Sequence, residues 1–401
     1  MRFRNQIAWT MVVQGGGAAA GFVSVALLGI YLGPVAQGVF SFIKIEIAFI
    51  GSLAMFGLVQ ALFYFVQASR MSIGRAKELA VVSALVSGLM ALGYGVFVQR
   101  WAGLALITFV FAGAAYAWFN CLRGIMLTAT TTRLFNVMTA LPQGLLLLYA
   151  IVAVAIGRIN NSSVALAFTV SFVLASLIGL RWLAIASQST PRFVVTEERL
   201  HCVIRYRFAS GVTEIAAAMS LLLAAQAVGS RIGSLELGVF TFAIALSQGL
   251  LVPVNYTIPL LFKRWMEHPN ASEAMRFGIW VVVVLGGLAL VVRYLLIYII
   301  PESWLGAYSS IVDVLWIVLF AVAFDGGRGI LAVHANAHGM PWLSATSATL
   351  RLIVVAGGLA LCSIQQSQDV AWIMCVAAIV STTMLLTVHC LLKWASGELI
   401  K

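Results

Sequence analysis

Arg351 stands about ten residues into an apolar stretch that begins near Pro341, close to the middle of any helix built there. A charge at that depth in hydrocarbon costs about 3 kcal/mol or more, so it must face a hydrated cavity or a partner. Asp313, on the preceding apolar stretch, is one candidate partner. Four further basic residues lie inside or at the ends of such stretches: Lys44, Arg123, Arg293 and Arg328. Their acidic counterparts are Glu46, Glu214 and Asp313. An intramembrane carboxylate can hold a proton or a sodium ion, or it can neutralise an arginine elsewhere in a bundle. Glu214, a turn or two into its stretch, is the foremost coupling candidate. Lys44 and Glu46 are two residues apart and therefore point to different sides of a helix.

Other chemistry finds no support. His334 and His338 have the spacing of a metal pair, but HANAH lacks the glutamate of the zinc-protease pattern, which leaves them as interfacial polar residues. Cys121, Cys202, Cys362, Cys375 and Cys390 show no metal-like spacing and read as small hydrophobes. Gly15, Gly16, Gly17 and Gly21 follow no strand, so they suit a close helix–helix contact rather than a nucleotide loop. No nucleophile–base pair, Walker motif or pair of catalytic carboxylates is visible, and the expectation is of a protein that is not an enzyme and carries no cofactor.

The elements that position these residues must be transmembrane helices. Of 401 residues, 62% are apolar and 9% charged, against about 45–50% and 25% in soluble domains. Continuous apolar runs of about 20 residues exclude a barrel, whose strands would alternate. The expected spans are 8–31, 39–67, 79–99, 101–122, 136–157, 164–186, 208–230, 238–262, 277–300, 304–324, 341–362 and 370–392. The first is too long for a signal-peptide core and is read as retained. Pro142, Pro253 and Pro259 predict kinks within their spans.

The formal charge of +11 would suggest nucleic acid in a soluble protein, but here the basic residues lie mostly between spans. With the amino terminus inside, Arg2, Arg4, Arg70, Arg75, Lys77, Arg123, Arg133, Arg181, Arg192, Arg199, Arg205, Arg207, Lys263, Arg264, Arg276, Arg328, Lys393 and Lys401 fall on the cytoplasmic side, with Arg100, Arg158 and Arg231 outside. That bias places both termini in the cytoplasm. Residues 188–207 read as a cytoplasmic connector between lobes 1–187 and 208–401, in the form of an amphipathic helix on the inner leaflet.

The lobes are related by a repeat. LGPVAQGVFSF at 32–42 matches IGSLELGVFTF at 232–242, through Gly33, Gly38, Val39, Phe40 and Phe42. FNCLRGI at 119–125 matches FDGGRGI at 324–330, with Arg123 opposite Arg328 and Asn120 opposite Asp325. Two ordered matches at nearly one offset argue for duplication of an even number of spans, so both copies insert the same way up. The expected fold is all-α, a polytopic membrane protein of about twelve transmembrane helices in two pseudo-symmetric six-helix lobes. Such parallel repeats characterise transporters.

YLGPVAQGVFSF, followed by FGLVQALFYF at 56–65, resembles the opening of the polysaccharide-unit (O-antigen) flippases of the multidrug/oligosaccharidyl-lipid/polysaccharide exporter superfamily. The two halves and the Arg-Gly after the fourth span are also similar, while Ser234 departs from Pro34 in the second copy. The resemblance implies a bacterial inner-membrane exporter that moves undecaprenyl-diphosphate-linked oligosaccharide units by alternating access. Its partners would be that substrate, membrane lipids and other polysaccharide-assembly proteins, with no nucleic acid. A diphosphate needs a cationic, hydrated path, and arginine's forked donors suit it, which makes Arg351, Arg123, Arg328, Lys44 and Arg293 its candidate ligands. The coupling candidates are Glu214, Asp313 and Glu46, for a proton or sodium. The alternatives are a multidrug cation antiporter of the same superfamily and a membrane enzyme of surface-polysaccharide assembly.

Overall fold

The computed structural model describes residues 3–68, 70–98, 103–129, 132–189, 200–267, 270–299 and 306–395. Among them are α1 (Phe3–Met55), α2 (Leu58–Gln67), α3 (Ile73–Val98), α4 (Leu104–Ala129), α5 (Thr132–Ile156) and α6 (Asn161–Ser189). The second half holds α7 (Leu200–Arg231), α8 (Ser234–Glu267), α9 (Ala271–Tyr298), a 3-10 turn (Gly306–Tyr308), α10 (Ile311–Ala337), α11 (Pro341–Leu361) and α12 (Ser367–Ala395). Ten of these helices are long and apolar enough to cross a membrane, and α1 alone offers a 44-residue stretch, enough for two crossings. The protein is a multi-pass membrane protein.

Two expectations need correction. The tenth span is not 304–324 but α10, which continues through Asp325, Arg328 and His334. The polar residues that would have ended an apolar window are buried there and find partners inside the bundle, so the helix has no reason to stop. The seventh span is not 208–230 but α7, which begins at Leu200 and so carries Arg205 and Arg207. Residues 190–199 of the expected connector lie outside the described residues.

The chain forms two compact units: Met1–Leu32 with Ile43–Ala218, and Gly33–Phe42 with Met219–Lys401. In the first, α4 packs against α2, α3, α5 and α6. In the second, α10 packs against α8, α9, α11 and α12, and it is the most buried of the candidate spans. The two helices carrying the second repeat are thus each the central helix of their unit.

The first repeat marks helix joints. Gly33 has φ 74, a left-handed value that glycine accepts without a Cβ penalty, and Pro34 opens the next segment, where its missing N–H costs nothing. Gly233 has φ 132 and Ser234 opens α8 in the same way. Inside the second unit the two copies touch. A Cβ on Gly38 would lie 2.8 Å from the Gly238 amide nitrogen, and one on Gly238 would overlap the Pro34 carbonyl. Both glycines are required by backbone packed on backbone. A further break separates α1 from α2, where Phe56 (φ 40) and Gly57 (φ 72) leave helical geometry. The left-handed conformation costs a bulky residue such as phenylalanine about 1–2 kcal/mol.

Candidate functional site

In the second unit, Asp325 and Arg328 sit one turn apart on α10, and Arg351 reaches the same carboxylate from α11. Arg351 Nη2 lies 2.7 Å from Asp325 Oδ2, and Arg328 Nε lies 3.5 Å from Asp325 Oδ1. All three side chains are largely buried, at 10–15% exposure, so the charges are poorly screened. Two guanidiniums share one carboxylate, which leaves one positive charge in excess. Hydrogen bonds draw the surrounding helices together: Thr382 donates to the Phe324 carbonyl (2.9 Å) and Ser347 to that of Ser381 (2.9 Å). Gly327 lets α9 approach, since a Cβ there would press on Val282 and on the Gly278 carbonyl. Both arginines keep an Nε without a hydrogen bond among the described residues.

Arg351 does not pair with Asp313. Asp313 lies in the first turn of α10, 12 residues before Asp325 and therefore about 18 Å away along the helix. It is exposed and lines a cavity of about 290 Å³ with Glu236, Ser310, Gln365 and Ser367. There Glu236 accepts hydrogen bonds from Ser310 (3.1 Å) and Ser367. Arg293 is also exposed and stacks its guanidinium 4.2 Å from the Trp316 ring.

The first unit has a second charged cluster, built differently. Glu214 Oε2 accepts a hydrogen bond from the Gly57 amide (3.2 Å), and Arg207 Nη2 donates to the Met55 carbonyl (3.0 Å). Arg123 and Arg207 are both within electrostatic reach of the Glu214 carboxylate. Asn120, which matches Asp325 in the repeat, bonds instead to the Tyr116 carbonyl of its own helix (2.9 Å). Lys44 and Glu46 diverge as their spacing requires: Lys44 sits over the Phe168 ring of α6 (5.8 Å), and Glu46 accepts from Tyr94 of α3 (2.8 Å).

The sequence candidates therefore fall into two groups. Arg351 and Arg328 converge on Asp325, and Arg123 joins Glu214; Lys44, Glu46, Arg293 and Asp313 stand apart. Asp325 and Arg207 stand outside the candidates that the sequence offers. Asp325 was visible in FDGGRGI, one turn before Arg328, and would have been weighed as intramembrane had the tenth span been extended. Arg207 carried a weaker signal, the i, i+7 spacing to Glu214 that places both on one helix face.

His334 is buried and its Nε2 lies 3.1 Å from that of His338, with the His389 ring 5.3 Å away. Among the described residues, no group of three or more His, Cys, Asp or Glu is arranged to hold a metal ion.

No family model matches the chain, and no curated protein is similar to it. Solved structures are. A MATE protein in complex with MaD3S matches with a TM-score of 0.69 at 14% identity, over 98% of this chain and 96% of its own. The outward-facing conformation of a multidrug resistance MATE family transporter of the MOP superfamily matches at 0.66 and 15% identity, over 98% and 96%. A MOP superfamily transporter from Pyrococcus furiosus, described as having a binding pocket of reversed polarity, matches at 0.62 and 13% identity, over 97% and 94%. The likeness is one of fold: the chain is an all-α polytopic membrane protein with the twelve-span MATE-like fold.

Proposed function

We propose that this protein is a transporter that moves an anionic, lipid-linked oligosaccharide across the bacterial inner membrane by alternating access. The observation that carries the reading is the excess of buried positive charge at Asp325, Arg328 and Arg351. A carrier of cations would place its surplus carboxylates there instead, and the surplus here is guanidinium. Arg351 is the eleventh of the 21 residues of α11, so this charge lies in the middle of its span. Retaining an unneutralised arginine at such depth is costly unless a ligand or water meets it. The Nε donor of Arg351, without a hydrogen bond among the described residues, suits a phosphate oxygen. In the first unit, Glu214 is the candidate for a coupling proton or sodium, with Arg123 beside it. The opening motif at 32–42, the duplicated halves and the MATE-like fold support a carrier over an enzyme of polysaccharide assembly.

The test is a strain lacking this gene. It should make lipid-linked repeat units that accumulate on the cytoplasmic leaflet, and it should display no corresponding surface polysaccharide. A plasmid copy should restore display, whereas R351A should insert normally and fail to restore it. R351K should recover only part, because an ammonium does not reproduce the fork. Single units still displayed outside the deletion strain would instead indicate a polymerase. Intact polysaccharide with altered sensitivity to cationic drugs would indicate the multidrug antiporter. Orientation is tested separately: in a cysteine-free background, S162C should react with an impermeant thiol reagent added outside, and G74C should not.

A further inference from the structure

The break between α1 and α2 leaves backbone groups without a helical partner in a region that water does not readily reach. A broken helix in the membrane must satisfy such groups from neighbouring elements. Here one helix does so on both sides of the break. Arg207 of α7 donates to the Met55 carbonyl, at the end of α1, and Glu214 of α7 accepts from the Gly57 amide, at the start of α2. The two side chains are seven residues apart, hence on one face of α7. Between them, α7 presses directly on the break. A Cβ on Gly57 would overlap the backbone of Arg207 and Gly211, and one on Gly211 would lie 2.8 Å from the Phe56 ring. Phe56 packs edge-on against Phe208 (5.7 Å), and Tyr64 of α2 stacks on Tyr206 (4.8 Å).

We propose that Phe56–Gly57 is a hinge within the second span, that Arg207 and Glu214 are the positioning residues that hold it, and that loss of the Glu214 charge loosens it. Three features of the site distinguish a held hinge from a passive kink. Phe56 occupies a backbone region that phenylalanine disfavours, so the geometry persists because its surroundings impose it. The capping is done by ionisable side chains rather than by further backbone, so its strength follows their charge. Around the break, Arg207 Nε, Ser210 Oγ and the Tyr206 hydroxyl are buried without a hydrogen bond among the described residues. Such donors gain partners only if this region rearranges or takes up water.

The groups that govern Glu214 come from three helices. Arg207 shares its helix, Arg123 faces it from α4 together with Tyr116 and Cys121, and α2 supplies the Gly57 amide. Neutralising Glu214 removes the anion between two guanidiniums and weakens the bond to Gly57 together. Arg207 and Arg123 then repel each other without compensation, and the hold on α2 passes to packing alone.

The experiment is hydrogen exchange by mass spectrometry on the full chain in lipid nanodiscs, read on peptides covering residues 50–62. E214Q should speed exchange across the break by about tenfold, as expected for losing a charge-assisted hydrogen bond, and E214A by more. E46Q alters another buried carboxylate of the same unit and should leave those peptides unchanged. Unaltered exchange in both E214A and R207A would overturn the proposal. Should E214A fail to fold, spin labels on S52C and Q67C in a cysteine-free E214Q protein give a second readout. A distance distribution clearly broader than that of the parent supports the hinge, and an identical one sinks it. Neither measurement involves substrate, so failure here leaves the transport reading standing, and the reverse holds as well.

Discussion

Asn120 in α4 and Asp325 in α10 occupy matching places in the repeated motif, each three residues before an arginine, yet they bond in opposite ways. Asn120 turns back to the Tyr116 carbonyl of its own helix, whereas Asp325 bridges two helices through Arg328 and Arg351. The first unit still has its carboxylate, but α7 supplies it as Glu214, and it holds backbone rather than side chains. Each unit thus gathers two guanidiniums around one carboxylate on a duplicated scaffold. In the second unit the carboxylate ties helices together, and in the first it caps a broken one. Matching regions of a repeat can keep their charge count while giving the carboxylate a different role.

The largest effect should come from D325A, which leaves two buried guanidiniums unpaired. Removing one partner from a buried pair typically costs about 3–5 kcal/mol, and the thermal midpoint of the purified protein should fall sharply. Its counterpart N120A loses one neutral hydrogen bond to a local carbonyl, and it should cost only about 0.5–1.5 kcal/mol. Equal losses in the two variants would erase the distinction drawn between the units.

The glycines that follow the arginines sharpen it further. A Cβ on Gly124 would meet the Val59 carbonyl at 3.0 Å, while one on Gly329 would meet only the Ile258 side chain at 3.8 Å. G124A should destabilise by about 1–3 kcal/mol through overpacking. G329A should be neutral or stabilise by up to about 1 kcal/mol, the helix-propensity gain of alanine over glycine. Thermal unfolding of both variants under one set of conditions decides the matter.

The smallest effect concerns pH. At the spacing of the second repeat, Arg133 in the first unit corresponds to His338 in the second. Arg133 sits over the Trp9 ring (5.6 Å), whereas burial holds the His338 imidazole below its ordinary 6.5. The unfolded chain therefore takes up this proton before the folded one does. Its contribution to stability is complete above pH 6.5 and is lost as pH falls through the folded value. Thermal midpoints measured from about pH 8 down to about pH 5 should decline, and H338Q should flatten part of that decline.

Much of the fold was legible because the membrane imposes it. Apolar runs long enough to span, interrupted by Arg70, Arg158 and similar breaks, mark the helices, and Leu32-Gly33-Pro34 marks a joint through residues whose backbone preferences are strong. The break at Phe56–Gly57 was not legible, since FGLVQ reads as apolar continuation and the groups that support it come from α7. The same limit hid Arg207 as a partner of Met55, 152 residues earlier. Asp325 failed for another reason: a window that counts charges against a span penalises the residues whose pairing lets the helix continue. The intramembrane arginines were found from depth alone, but which carboxylate each would meet depends on the facing of α10 and α11, which periodicity in an all-apolar helix does not encode.

The contact of Gly38 with Gly238 joins like to like, because the same position of each copy of the first motif meets the other within the second unit. Contacts that pair a patch with its own equivalent are what twofold homodimers make. A chain carrying one copy could form this seam only by meeting a second molecule, and every substitution at the glycine would then strike both sides at once. Two copies on one chain are free of that constraint. Pro34 and Ser234, Asn120 and Asp325, and Arg133 and His338 are places where the two copies differ, while the glycine seam, where neither side has room for a side chain, is the same in both.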